Sequence, residues 1–223
     1  MKSRRVVVCA VALVVAACTR DALLGSERLM LVDAGAPDAT TCVPTACGGH
    51  VSACGDCADN DGDGKVDLAD PDCLGPCQDS EGTFVNPQPG QGHGACALDC
   101  YFDGDDGFGN DDCEWSHVCD PLAVAPDFPP EGMSCAYDPT TKLPRGGGCD
   151  AAQSDKCRSV CGSITPRICD CFGCCLLPGA STSVFIGSVD DQGNPSCDSS
   201  HEADPTRCEP CTQVTSCLGT AGP

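Results

Sequence analysis

The sequence predicts a small disulfide-rich fold, mostly irregular with short β-hairpins, built as two or three stapled modules with little helix outside an N-terminal signal. Three observations carry this expectation. Cysteine supplies 24 of 223 residues, nearly 11%, above the level that marks a disulfide scaffold. The 41% hydrophobic fraction falls to about 30% once those cysteines are set aside, too little for one large apolar core. One Trp, two Tyr and six Phe stand against 26 Gly and 18 Pro, so few side chains bury a large area and many positions favour turns. A large α/β enzyme domain does not fit this composition. The formal charge of -21 repels nucleic acid and anionic lipid and attracts divalent cations or basic partners.

The first element is an export signal. Met1-Lys2-Ser3-Arg4-Arg5 is basic, and residues 6–17 form an apolar run, shorter than the roughly 20 residues a membrane span needs. The run ends in Val15-Ala16-Ala17-Cys18, which resembles the lipobox of bacterial lipoproteins. The resemblance implies that residues 1–17 are removed and that the Cys18 thiol is acylated, anchoring the chain in a membrane. Thr19 rather than Asp after the acylated Cys implies the outer membrane or cell surface. Setting aside Cys9 and Cys18 from the 24 cysteines leaves 22, an even number that disulfides can exhaust, and loss of Lys2, Arg4 and Arg5 takes the charge to -24. Residues 18–41 are then the anchor and a flexible spacer, since Asp33–Thr41 is small, polar and turn-rich.

A cysteine-rich module over 42–119 contains the sharpest motif. Residues 59–70 place Asp59, Asp61 and Asp63 at positions 1, 3 and 5 of a twelve-residue loop, with Gly64 at 6, the Lys65 carbonyl at 7, Asp67 at 9 and Asp70 at 12. That is the oxygen-ligand order of an EF-hand loop, because a tightly curling backbone turns every second side chain inward and Ca2+ takes six to eight hard oxygens. Position 12 is Asp rather than the usual Glu, and Cys54-Gly-Asp-Cys57 lies where an entering helix would be. From Cys57 to about residue 77 the pattern resembles instead the thrombospondin type 3 repeat and its bacterial relatives. The resemblance implies a structural Ca2+ with disulfides in place of helices.

A second acidic stretch, 99–112, alternates at Asp103 and Asp105 but lacks Gly at the later offset, and reads as a Gly-Asp loop closed by Cys100 and Cys113 in preference to a second metal site. Trp115 reads as local core packed on disulfides. Prolines at 121, 126, 129, 130, 139 and 144 mark a connector over 120–148. A second cysteine-rich module follows over 149–217, then a tail, 218–223. Adjacent Cys174 and Cys175 cannot easily pair with each other and must tie to different segments. Ser183–Val189 followed by Asp190-Asp-Gln-Gly-Asn194 predicts a β-hairpin, and no sustained helix is expected beyond the signal.

Cys-x3-Cys at 73/77, 96/100 and 157/161, and Cys-x2-Cys at 54/57 and 208/211, are zinc-like spacings; behind an export signal the oxidised form takes precedence. Motifs for zinc proteases, serine hydrolases, phosphate loops and dinucleotide sites are absent, and His50, His93, His117 and His201 lie far apart, each with a surface or local hydrogen-bonding role as the expectation. The expected function is therefore non-enzymatic: an envelope-anchored lipoprotein displaying a calcium-stabilised, cross-linked binding or structural module. Its membrane contact is the acyl anchor, and its partner is an extracellular or envelope protein or glycan. The alternatives are an envelope metal-handling protein using thiolates, and a secreted hydrolase with an unrecognised site.

Overall fold

A computed structural model describes residues 42–85, 96–104, 109–122 and 135–221. The signal, Cys18 and the spacer lie outside the described residues, as do His93, Asp105, Asp106 and residues 123–134 of the connector. Regular structure is sparse. Strands β1 (Ala97–Leu98) and β2 (Trp115–Ser116) pair antiparallel, as do β3 (Cys174–Cys175) and β4 (Val184–Phe185). One α-helix, α1, is found among the described residues and spans Asp155–Ile164. Among the described residues no helix is long and apolar enough to cross a membrane.

Little helix lies among the described residues, as expected, but the ten-residue α1 corrects the narrower expectation of no sustained helix beyond the signal. Ser154 caps it, its hydroxyl accepting the Cys157 N–H at 3.0 Å, and Asp155 sits in the first turn where the helix dipole favours an anion. Cys157, Cys161 and Ile164 fall on one buried face, so the Cys-x3-Cys spacing here is a helical i, i+4 stripe. The helix stops at Thr165, whose hydroxyl and N–H both donate to the Cys161 carbonyl, and Pro166 follows.

Every cysteine among the described residues is half of a disulfide, eleven bonds in all, which places the chain in an oxidising, exported setting. None of the Cys-x3-Cys or Cys-x2-Cys pairs closes on itself. Cys42–Cys57, Cys47–Cys77 and Cys54–Cys73 form a closed set. Cys96–Cys135, Cys100–Cys161, Cys113–Cys157 and Cys119–Cys149 join residues 96–119 to 135–161. Cys100 and Cys113 thus bond to α1 and not to each other, which corrects the loop closure expected between them. Cys174 and Cys175 do part company, to Cys211 and Cys169. The covalent grouping divides between residues 77 and 96 and again between 161 and 169, where the bridges over 169–217 begin, and the connector over 120–148 is crossed by the second set. Residues 42–77 meet the rest through noncovalent contacts: the Ser199 N–H donates to Asp72 at 2.7 Å, and Cys77 belongs to the shared core with Leu74 packed against it.

That core is built largely of sulfur, more than half of its buried apolar residues being cysteines. The remainder is divided between aliphatic side chains and a knot of aromatic rings. Trp115, 6% exposed, stacks on Phe172 with ring centroids 5.6 Å apart, and Tyr101 meets Phe185 edge-on at 5.9 Å. Gly173 is required between them: its φ is +83°, and a Cβ there would lie 3.0 Å from the Tyr101 ring. The hairpin expected over 183–194 forms differently. Asp190–Asn194 makes its turn, with one bridge between Val189 and Pro195, but Val184–Phe185 pairs back with Cys174–Cys175. The sulfur-rich ladder offers Phe185 a buried partner that the polar residues after Asn194 do not.

With few ladders, the backbone finds its acceptors on aspartates. Among the described residues eleven Asp side chains accept the N–H two residues on, at 2.7–3.1 Å, from Asp56 to Asp204. Asp170 is the most buried of the well-connected ones, accepting from Phe172, Cys174 and Val214. Burial nevertheless raises its pKa to about 7. His117 is also buried, edge-on to Trp115 and Phe185, and burial lowers its pKa to about 3. The two act in opposite senses. Between about pH 6.5 and 3 the unfolded chain binds a proton that folded His117 refuses, so stability falls with acid; between about pH 4 and 7 folded Asp170 holds a proton that the unfolded chain has lost, so stability falls with base.

Chain-entropy reasoning makes the disulfides unequal. Cys100–Cys161 closes a separation of 61 residues and Cys197–Cys208 one of 11. Replacing both cysteines of the longer bridge by Ser is expected to cost about 1.5 kcal/mol more than doing so for the shorter one, read from urea denaturation of the two variants.

Candidate metal centre

The loop at 59–70 curls because its own carboxylates bind its backbone. Asp59 accepts the Gly62 N–H at 2.6 Å and the Gly64 N–H at 3.0 Å, Asp61 accepts that of Asp63 at 2.9 Å, and Asp63 that of Lys65 at 2.8 Å. Gly62 and Gly64 lie at φ +83° and +91°, the left-handed region where a Cβ would be strained. The outcome is convergence: carboxylate oxygens of Asp59, Asp61 and Asp63 lie within 4.8 Å of one another on the surface. Oxygens bound at 2.3–2.6 Å to a common Ca2+ stand no farther apart than about 5 Å, so the three are spaced for one hard cation.

The other motif positions are placed differently. Asp67 turns away from this trio, both carboxylate oxygens taking the Cys57 N–H, at 3.1 and 3.2 Å. Asp70 is 2% exposed; its Oδ1 accepts the Asp72 N–H at 2.7 Å and its Oδ2 has no hydrogen-bond partner. Burial raises the Asp70 pKa. The Lys65 ammonium pairs with Asp63, holding that carboxyl below the usual range, while Asp63, Asp70 and Asp61 raise the pKa of Lys65. Lys65 is thus the counter-ion of the acidic ring, in addition to supplying the carbonyl at position 7.

Glu81, outside the twelve-residue motif, holds the loop from behind. Its Oε2 accepts the Asn60 N–H at 2.5 Å and its Oε1 the Asp67 N–H at 2.6 Å, so one carboxylate, 2% exposed, ties position 2 to position 9. Gln78 seats the strap that carries Glu81: it is 1% exposed and bonds Leu74, Asp72 and Thr83 through the backbone. Cys57 and Asp67 both adopt left-handed conformations, φ +68° and +49°, at a typical cost of about 1–2 kcal/mol each that these carboxylate bonds and the Cys42–Cys57 bridge offset. No spacing rule in the motif pointed to Glu81, because its contacts are long-range and made to backbone.

Elsewhere, Cys113, Cys157, Cys171 and Cys217 bring four sulfurs together, but as two disulfides side by side. A cleft of about 220 Å³ beside Trp115 is lined by Thr212–Ser216 and the Cys119–Cys149 bridge, with Asp150 its one titratable group. Of the histidines, His50 pairs with Asp79 at 3.2 Å and His201 with Asp198 at 2.7 Å, local roles as expected; His117 lies in the core and not at the surface.

Glu81→Ala leaves two N–H groups without their carboxylate. It is expected to destabilise the protein by about 2–3 kcal/mol in chemical denaturation, whereas Asp79→Ala nearby costs under about 1 kcal/mol. No protein-family model, no curated protein and no solved structure matches this chain.

Proposed function

We propose that the chain is a non-enzymatic, envelope-anchored lipoprotein, and that the loop at 59–70 holds a structural Ca2+ in a cross-linked module presented for binding outside the cytoplasm. The convergence of Asp59, Asp61 and Asp63 carries the metal part of this reading. Backbone bonds hold the three carboxylates in place with or without an ion, so binding needs little reorganisation; Lys65 yields its place on Asp63 when the ion enters. Asp70, with a buried Oδ2 that has no donor, closes the site in this reading, and Asp67 serves the backbone rather than the ion.

The disulfides support export, and the Val15-Ala16-Ala17-Cys18 pattern supports the anchor. Rigid turns on a cross-linked frame present recognition loops at low entropic cost, which favours display and binding to an extracellular protein or glycan. A thiolate metal carrier is disfavoured because sulfur in a disulfide is not a thiolate ligand.

Extracellular calcium modules bind at about 10⁻⁴–10⁻³ M, so millimolar Ca2+ adds on the order of 1 kcal/mol to folding. The melting temperature is expected to rise by several degrees between chelator and millimolar Ca2+, and Asp61→Ala with Asp63→Ala to remove the difference. Equal melting curves for the parent protein discard the site. For the anchor, metabolic acyl labelling is expected to mark the parent and not Cys18→Ser; label retained by the variant refutes the assignment.

A further inference from the structure

We infer that the loop between β1 and β2 holds a second hard divalent cation, on the carboxylates of Asp99, Asp103 and Asp111. One carboxylate oxygen from each lies within 4.8 Å of the other two, the spacing that a shared Ca2+ requires. Unlike the first trio, this one is interior: Asp99 and Asp111 have 0% exposure, and Asp103 is partly buried.

Asp111 carries the inference. Its Oδ1 accepts the Cys113 N–H at 3.1 Å, while its Oδ2 is buried without a hydrogen-bond partner. An Asp111 oxygen also lies within 4.8 Å of the Cys100 and Cys161 sulfurs, which as a disulfide donate no hydrogen. A carboxylate oxygen in such a place is destabilising unless a donor or cation meets it, and two more carboxylates at this distance add like-charge repulsion. The next residue shows the contrast. Asp112 is partly exposed and takes Arg145 at 3.0 Å and Lys156 at 3.5 Å, whereas Asp111 is fully buried.

The chain is arranged to keep the trio together. Asp99 directly follows β1, and Asp111 lies shortly before β2, so the pairing of Leu98 with Trp115 draws the two acids toward each other. Cys100 and Cys113, beside them, are bolted to α1 at Cys161 and Cys157. Gly104 and Asp112, next to Asp103 and Asp111, lie in the left-handed region at φ +71° and +60°. The preference for a metal-free Gly-Asp loop followed from the missing EF-hand offset. The site argued here needs no such offset, because β pairing and disulfides, not a continuous curl, bring the ligands together.

Calorimetric Ca2+ titration of the full, oxidised chain in metal-free buffer tests this, with thiol titration confirming that each variant has formed its disulfides. The Asp61→Ala, Asp63→Ala variant is expected to keep one Ca2+ per chain. Adding Asp103→Asn or Asp111→Asn to it is expected to weaken that binding tenfold or more. Should Asp111→Asn fail to oxidise fully, Asp103→Asn at the partly buried position decides. Terbium emission sensitised through Tyr101, two residues from both Asp99 and Asp103, is expected in the first variant and lost on adding Asp103→Asn. No Ca2+ bound by the Asp61→Ala, Asp63→Ala variant, or binding unchanged by the added substitutions, overturns the inference. Full parental stoichiometry in that variant, lost on adding Asp103→Asn, discards the 59–70 reading and leaves this one standing.

Discussion

Covalent closure of short loops is the constraint from which the other features follow. With so little aliphatic material, hydrophobic burial cannot offset the entropy of ordering this chain, and a typical disulfide contributes about 2–4 kcal/mol by limiting the unfolded ensemble. Once the turns are fixed by sulfur, extended strands and long helices are dispensable, and they are nearly absent among the described residues. Their absence creates a second demand, because buried N–H groups still need acceptors. Aspartate meets it locally, two residues back along the chain. The acidic composition is therefore structural as well as solubilising, a role that a net charge alone does not reveal.

How much of this was legible follows from what each feature depends on. Cysteine content depends on composition, and it anticipated an irregular fold whose described cysteines are all paired. The separation of Cys174 from Cys175 follows from local geometry, and was readable too. Pairing partners depend on long-range packing, so the closure assigned to Cys100 and Cys113 was mistaken: both are claimed by α1. That helix was itself obscured because its apolar stripe is made of cysteines, which periodicity arguments treat as cross-links, although Ser154-Asp155 is a good start signal. In the candidate site the alternating acids were visible as a motif. The roles of Glu81 and Asp67 were not, since each acts through backbone groups distant in sequence.

The two acidic clusters illustrate different electrostatic solutions. On the surface, Asp59, Asp61 and Asp63 are solvated, carry their own internal counter-ion in Lys65, and tolerate an empty loop. In the interior, Asp99, Asp103 and Asp111 have little water to screen them. Exposure thus separates a ring whose proposed ion would exchange with the medium from one whose ion would be as much a part of the core as the disulfide beside it. The buried pair of opposite titrations, His117 and Asp170, adds that this core is not electrostatically inert: it excludes a proton at one position and retains one at another.

The closed set formed by Cys42, Cys47, Cys54, Cys57, Cys73 and Cys77 bears on biogenesis. A polypeptide threaded outward from its N-terminus delivers all six before any later cysteine emerges, so this knot can be oxidised and locked while the remainder is still in transit. The other bridges must wait, the last of them until Cys217 arrives. Vectorial emergence then restricts which mispairings are reachable: early sulfurs have left the pool by the time the crowded C-terminal cysteines enter it.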